Sequence, residues 1–307
     1  MSEKASRRVM ITGAASGIGL EAALQLAALG DHVIVADRNE AGGKGVVERI
    51  TAAGGSAEFR ALDLADQQRI RAFADIELSQ DKPLDVLLNN AGLLPPMTRA
   101  TTADGFELMF GICHLGHFAL TGLLLPALLR SANPRVVNVS SMSHSGGEID
   151  FDDLQFDRNY ASSRAYAGTK LACLMFALEL NRRARAAGST LISVSAHPGV
   201  ATTPIASSWK QENRRKLMDR FELFAYNTFN RCFGQTAAEG AHPLVYAACE
   251  ADVEGGGYYG PTGFKQMSGK AGRVAPAPRA LDEAIAARLW AESERLTGVN
   301  YDLLASR

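Results

Sequence analysis

The chain has 307 residues, 47% of them hydrophobic, which is enough to bury the core of one large domain. Its 32 basic and 33 acidic residues nearly cancel, so net charge points to no nucleic acid, anionic membrane or polyacidic substrate. Four cysteines, Cys113, Cys173, Cys232 and Cys249, form no CxxC pair, which predicts reduced thiols in a cytoplasmic protein and no disulfide or zinc framework.

No apolar leader precedes the first strand-like run, and no window of about 18 uncharged apolar residues stands out, so no membrane span is expected. From there, short β-branched runs alternate with longer segments of helical period. RVMITGA (8–14) leads into a helix over 18–30, HVIVADR (32–38) into 40–54, and AEFRALDL (57–64) into 66–79. LDVLLNNAG (84–92) leads into 103–131, PRVVNVSS (134–141) into 164–187, and TLISVSAHPG (190–199) closes the series. Strand and helix in alternation mean parallel pairing, and runs such as DVLL, apolar without alternation, suit a sheet covered on both faces. The expected fold is a single α/β domain over 1–307 with a doubly wound parallel sheet. After the sixth strand, residues 204–233 mix charges with Trp209, Phe221, Phe224, Tyr226 and Phe229, an insertion expected to form a substrate lid. A helix over 236–250, a Gly-rich strand region over 255–263 and a C-terminal helix over 279–298, capped by Gly298, complete the chain.

TGAASGIG at 12–19 follows the first strand and opens the first helix. Gly13, Gly17 and Gly19 allow a tight turn and close backbone approach; with Ser16 and Ile18 they form a helix N-terminus whose free N–H groups suit a pyrophosphate. Asp37 ends the second strand, where a carboxylate accepts hydrogen bonds from an adenosine ribose. A 2′-phosphate there would meet like charge, at a cost on the order of a few kcal/mol for an effective dielectric near 20. Arg38 pulls the other way, since a guanidinium embraces such a phosphate. NAD is the favoured cofactor and NADP the alternative.

Tyr166 and Lys170 stand four residues apart in a segment of helical period and so share a face. A free phenol titrates near 10, and an ammonium about 4 Å away favours the ionised form, a pairing suited to proton transfer near neutrality.

TGAASGIG, NNAG (89–92), VNVSS (137–141), YAGTK (166–170) and HPGVATT (197–203) resemble the successive signatures of the short-chain dehydrogenase/reductase (SDR) family. HLGHF (114–118), TAAEGA (236–241) and RLWAESERLTGV (288–299) resemble its retinol-dehydrogenase-like branch. The resemblance implies a Rossmann fold and an NAD(P)-dependent oxidoreductase interconverting an alcohol and its ketone or aldehyde. It makes Tyr166 the general acid/base, Lys170 its electrostatic partner and Ser141 a donor to the substrate oxygen; Ser140, the other candidate, could instead cap a turn. Asn90, Ala91 and Gly92 would meet the cofactor, Asn90 at the adenosine ribose, while Asp63 and Leu64 would face the adenine. Ala201 and Thr203 would contact the nicotinamide carboxamide. Cys113 stands where the family has an active-site asparagine that helps hold a lysine-linked water. Part of that role is a main-chain carbonyl, which cysteine retains, so a working proton path is expected.

His114 and His117 lack a metal-ligand pattern and read as packing histidines, and the acidic loop 146–157 lacks calcium-site spacing, so no metal is expected. The aromatic insertion favours a bulky apolar substrate. By resemblance the chain forms a homodimer or homotetramer through helices around strands four and five, which the C-terminal helix would obstruct. The competing reading is a catalytically weakened nucleotide sensor, with Cys113 as its scar.

Overall fold

Runs of Val, Ile and Leu at the centres of the expected strands become the middle of one sheet. The computed structural model describes residues 6–94, 96–201 and 235–304. Its strands are β1 (Arg8–Thr12), β2 (His32–Asp37), β3 (Ser56–Ala61), β4 (Val86–Asn89), β5 (Arg135–Val139), β6 (Ile192–Ala196), β7 (Tyr258–Pro261) and β8 (Ala271–Arg273). They lie in the order β3-β2-β1-β4-β5-β6-β7-β8, parallel except for β8, which runs antiparallel to β7. Strand β8 has no counterpart in the sequence reading, because Ala-Gly-Arg carries no apolar run to register.

The helices are α1 (Gly17–Ala28), α2 (Glu40–Ala52), α3 (Gln67–Ser79), α4 (His117–Leu128), α5 (Ser162–Ala186), α6 (Ala237–Cys249) and α7 (Glu283–Thr297). Successive strand residues point to opposite faces, so the sheet builds two cores. Met10, Ile34, Leu87 and Val136 pack with α3, α4 and α5, whereas Val9, Ile11, Val35 and Leu88 pack with α1, α2 and α6. This is the doubly wound α/β architecture that the alternation of elements implies.

Some expectations need correction. The helix expected over 103–131 begins later, because Gly105 at φ 84 closes a turn with Thr102 and Thr101 bridges Glu107; a π-helical stretch, Phe110–Gly116, then leads into α4. Together Phe110–Leu128 make 19 residues with a hydropathy of 1.5, long and apolar enough by composition to cross a membrane, against the expectation that no such stretch exists. In this fold 78% of that window is buried inside the protein.

Helix α7 starts at an Asp282 side chain that accepts from the Ile285 N–H and ends at Gly298, whose φ of 62 is the left-handed cap the sequence signals. The first residues of the expected 279–298 helix form instead a 3₁₀ turn, Pro278–Leu281. Helix α7 packs across α4 and α5. The Trp290 ring meets Phe118 edge-on at 5.1 Å, the Tyr301 hydroxyl donates to the Phe118 carbonyl at 2.7 Å, and His114 Nε2 lies 2.8 Å from Ser293 Oγ. The expected insertion 204–233 lies outside the described residues.

Candidate active site

The strand order reverses between β1 and β4, and open parallel sheets bind ligands beyond the carboxyl ends of their strands at such a switch point. A cavity of about 840 Å³ opens there, lined from Gly13, Ser16, Ile18 and Gly19 at one end to Ser141, Tyr166 and Lys170 at the other.

The glycine turn is built by steric necessity. Gly13 has φ 67, and a Cβ on it would fall 2.7 Å from Ala91 Cα; a Cβ on Gly19 would fall 2.3 Å from the Gly13 carbonyl oxygen. Gly17, at φ 58, shapes the turn without lining the cavity. Ser16 caps α1 without a side-chain hydrogen bond, and no acidic residue occupies the first turn, so the helix N-terminus keeps its amide N–H groups and positive dipole for an anion. Asn90 lines the cavity, but its amide group donates to the carbonyls of Thr12 (2.8 Å) and Gly13 (3.2 Å). The side chain assigned by resemblance to a ribose is thus also a brace for the turn. Gly19→Ala is expected to destabilise the fold by about 1–3 kcal/mol through overpacking. A urea midpoint equal to that of the wild type would refute the steric account.

Asp37 sits on the cavity wall with each carboxylate oxygen accepting one backbone N–H, from Ala15 and Asn39, both at 2.9 Å. Arg38 is exposed beside it and has no ion-pair partner among the described residues. Asp63, Leu64, Ala91, Gly92 and Ala201 also line the cavity; Thr203 lies outside the described residues.

At the far end, Lys170 is 6% exposed and donates from Nζ to the Val139 carbonyl at 3.1 Å. Burial alone would lower its pKa, but Cys113, Cys173 and Tyr166 raise it, and the net direction is upward, so the side chain keeps its charge. Tyr166, half-buried one turn earlier on α5, packs against Met109, Cys113 and Cys173. The two serines divide their work in a way the sequence left open. Ser140 Oγ donates to the Lys170 carbonyl at 2.7 Å and ties β5 to α5. Ser141 Oγ accepts from the Ser143 N–H at 3.2 Å and caps the following 3₁₀ turn, Met142–Gly146. An accepting hydroxyl still has its own proton to donate.

Cys113 lies in the π-helical stretch, 3% exposed and behind the cavity wall, with burial pushing its thiol pKa up. Its carbonyl accepts from His117 Nδ1 (2.9 Å) and from the Cys173 thiol (3.2 Å), so both lone pairs are engaged by protein where the resemblance reserves one for a water. Thr12 Oγ1 accepts the N–H groups of Asn90 and Ala91 at 2.9 Å each and therefore gives its hydrogen to His117 Nε2 at 2.8 Å. That fixes the proton of His117 on Nδ1 and makes it a neutral link between β1 and the π turn; burial takes its pKa to about 4. His114 and His117 are the packing histidines that the sequence suggests.

Sequence reasoning missed an apolar wall of Leu93, Leu94, Leu108, Ile112 and Met142, and a polar-poor edge at Pro198–Val200. None of these side chains carries chemistry. The signal available for the wall was its position directly after NNAG and VNVSS.

A glycine turn at a helix start, an acidic strand end and a buried lysine one turn from a tyrosine, gathered on one cleft, define a dehydrogenase of the Rossmann class. The family described as short chain dehydrogenase matches residues 7–214, and the chain belongs to it; it is an oxidoreductase. Retinol dehydrogenase 13 of Homo sapiens is 40% identical over 304 residues, which are 95% of this chain and 85% of that protein. Polyprenol dehydrogenase of Mus musculus is 40% identical over 301 residues, 95% of this chain and 84% of that one. A solved structure from Beutenbergia cavernae, described as an NAD(P)-dependent gluconate 5-dehydrogenase candidate with bound NADP at low occupancy, superposes with a TM-score of 0.62. It is 26% identical, over 82% of this chain and 93% of that one.

Proposed function

We propose that this protein interconverts a bulky apolar alcohol and its aldehyde or ketone, using NAD(P) and the set Ser141, Tyr166 and Lys170. The observation that carries this reading is the single cavity joining the glycine turn to those three side chains. The residues fit a dinucleotide: the cradle at Gly13 and Gly19 leaves no room for a Cβ, the start of α1 is uncapped, and Asp37 stands at the adenosine end. The bound nicotinamide supplies the hydride acceptor or donor.

This chain's residues do the rest. Ser141 donates a hydrogen bond to the substrate oxygen, and Tyr166 takes the hydroxyl proton in oxidation or gives it in reduction. Lys170, held by the Val139 carbonyl, keeps positive charge beside the phenol and would also hold the nicotinamide ribose. The wall of Leu93, Leu94, Leu108, Ile112 and Met142 excludes water and favours a hydrocarbon chain. Retinol and polyprenol, the alcohols in the names of the two relatives, belong to that chemical class. NAD is preferred because a 2′-phosphate on the adenosine ribose would meet the like charge of the Asp37 carboxylate on the cavity wall. Helix α7 occupies the α4–α5 face, so a homo-oligomer of this chain pairs elsewhere.

The test is fluorescence titration with NADH and NADPH, followed by turnover on alcohols graded from ethanol to long isoprenoids. Expected are tighter binding of NADH and kcat/KM rising with chain length. Tight binding with no turnover on any alcohol or carbonyl would favour the nucleotide sensor instead; no binding of either nucleotide would sink both readings.

A further inference from the structure

His144 has no role in the reaction described above, yet it is 4% exposed and joins two segments distant in sequence. It lies in the 3₁₀ turn that Ser141 caps. Ring nitrogen Nδ1 is 2.7 Å from the Ser141 carbonyl oxygen, and the Ala277 N–H points at Nε2 from 3.0 Å. A backbone N–H can only donate and a carbonyl can only accept, so the geometry assigns the proton to Nδ1 and a lone pair to Nε2. The imidazole is therefore neutral and bridges the serine turn to the segment after β8.

Other contacts fasten the same two pieces. Arg279 Nη1 donates to the Gly147 carbonyl, and the Val274 N–H donates to the Tyr258 carbonyl at 2.8 Å. The Tyr258 ring stands edge-on to His144 at 5.2 Å, with its hydroxyl 3.4 Å from the Ser141 carbonyl. The groups around His144 are Tyr258 from β7, whose hydroxyl also lies 3.4 Å from Nδ1, and, behind Tyr258, His197 from the loop after β6, whose ring is 5.1 Å from that of Tyr258; the nearby Arg279 guanidinium is engaged by the Gly147 carbonyl. Burial lowers the pKa of His144, outweighing the bond to the Ser141 carbonyl, which raises it.

We propose that neutral His144 is a positioning residue for the Ser141 hydroxyl, locking the serine's main chain to residues 274–279, and that protonating it releases the clamp and makes turnover acid-sensitive. An imidazolium has no lone pair at Nε2, so the Ala277 bond is lost and that N–H faces a second N–H. The Ser141 turn then gains freedom at the point where its hydroxyl meets substrate. This inference rests on the reading of Ser141 as the donor to the substrate oxygen.

The experiment compares wild type, His144→Phe and His144→Gln in kcat and KM from pH 5 to 8, with dinucleotide affinity measured by fluorescence and folding by thermal melts. The Phe variant keeps the ring against Tyr258 and loses both hydrogen bonds; its kcat at neutral pH is expected to fall about tenfold or more with dinucleotide affinity unchanged. Gln offers one donor and one acceptor that does not titrate, so it is expected to recover most of that kcat and to lose the acid limb of the wild-type profile. The inference fails if His144→Phe matches wild-type kcat, or if the acid limb persists in His144→Gln. It also fails if kcat, dinucleotide affinity and melting temperature all fall together in both variants, which marks a purely structural residue. Should the Phe variant not fold, the acid limb of His144→Gln decides alone. A wild type without turnover on any substrate overturns the dehydrogenase reading itself, and is seen before any variant is made.

Discussion

Tyr166→Phe is expected to lower turnover by at least about 10²–10⁴-fold while leaving dinucleotide binding nearly intact. The two halves of that expectation come from different parts of the site. The ring of residue 166 packs against Met109, Cys113 and Cys173, and phenylalanine keeps that packing. Lys170 is anchored independently through Val139, and Ser140 holds the Lys170 carbonyl, so removing one hydroxyl does not release the lysine. The glycine turn and Asp37 lie at the other end of the cavity. What disappears is the hydroxyl proposed to exchange a proton with the substrate. Steady-state kinetics on an alcohol turned over by the wild type, run beside an NADH titration, measures both quantities. A variant that retains turnover within tenfold of wild type removes Tyr166 from the chemistry; a variant that loses nucleotide binding makes it a structural residue.

How much of this was legible beforehand depends on whether a feature is local. The strands β1 to β6, the glycine turn, Asp37 and the Tyr166–Lys170 pair follow from periodicity, spacing and the steric demands of glycine, and all gather on one cleft. The later start of the helix before α4 was hidden because Gly105 acts through a positive φ and a bridge from Thr101 to Glu107, while the apolar pattern runs on through both. The division between Ser140 and Ser141 was hidden as well. It depends on which hydroxyl faces the Lys170 carbonyl, 30 residues away in sequence, and adjacent serines look alike in a string. The engagement of the Cys113 carbonyl by His117 and Cys173 is likewise a product of packing between α4, α5 and β1. Strand β8 and the clamp at His144 depend on where residues 271–279 return to the sheet, which no local pattern states.

The buried histidines are expected to give the protein a steep acid limit. Burial holds the pKa of His114 at about 3 and those of His117 and His197 at about 4, and it lowers that of His144. In the unfolded chain each imidazole titrates near 6.5. Between those values the unfolded state binds protons that the folded state refuses, so acid favours unfolding. The contribution to stability is complete above the unfolded value and is lost as pH falls toward the folded one. Each such group can remove about 1.4 kcal/mol per pH unit inside that window. Glu107 runs the other way, since burial raises its carboxyl pKa and its contribution fades as pH rises, but it is one group against four. In three of the four, a bond to the neutral ring adds to the effect of burial. His117 accepts from Thr12 and His144 accepts from Ala277, while in His197 the Gly199 N–H donates to Nδ1 at 3.2 Å, so each neutral ring has an acceptor nitrogen that protonation would destroy. Urea denaturation at pH 7, 6 and 5 is expected to show a midpoint that falls with each step, by a total on the order of several kcal/mol in folding free energy. A midpoint that stays level from pH 7 to pH 5 would mean that these rings are not buried as neutral acceptors, and the tautomers assigned to His117 and His144 would fall with it.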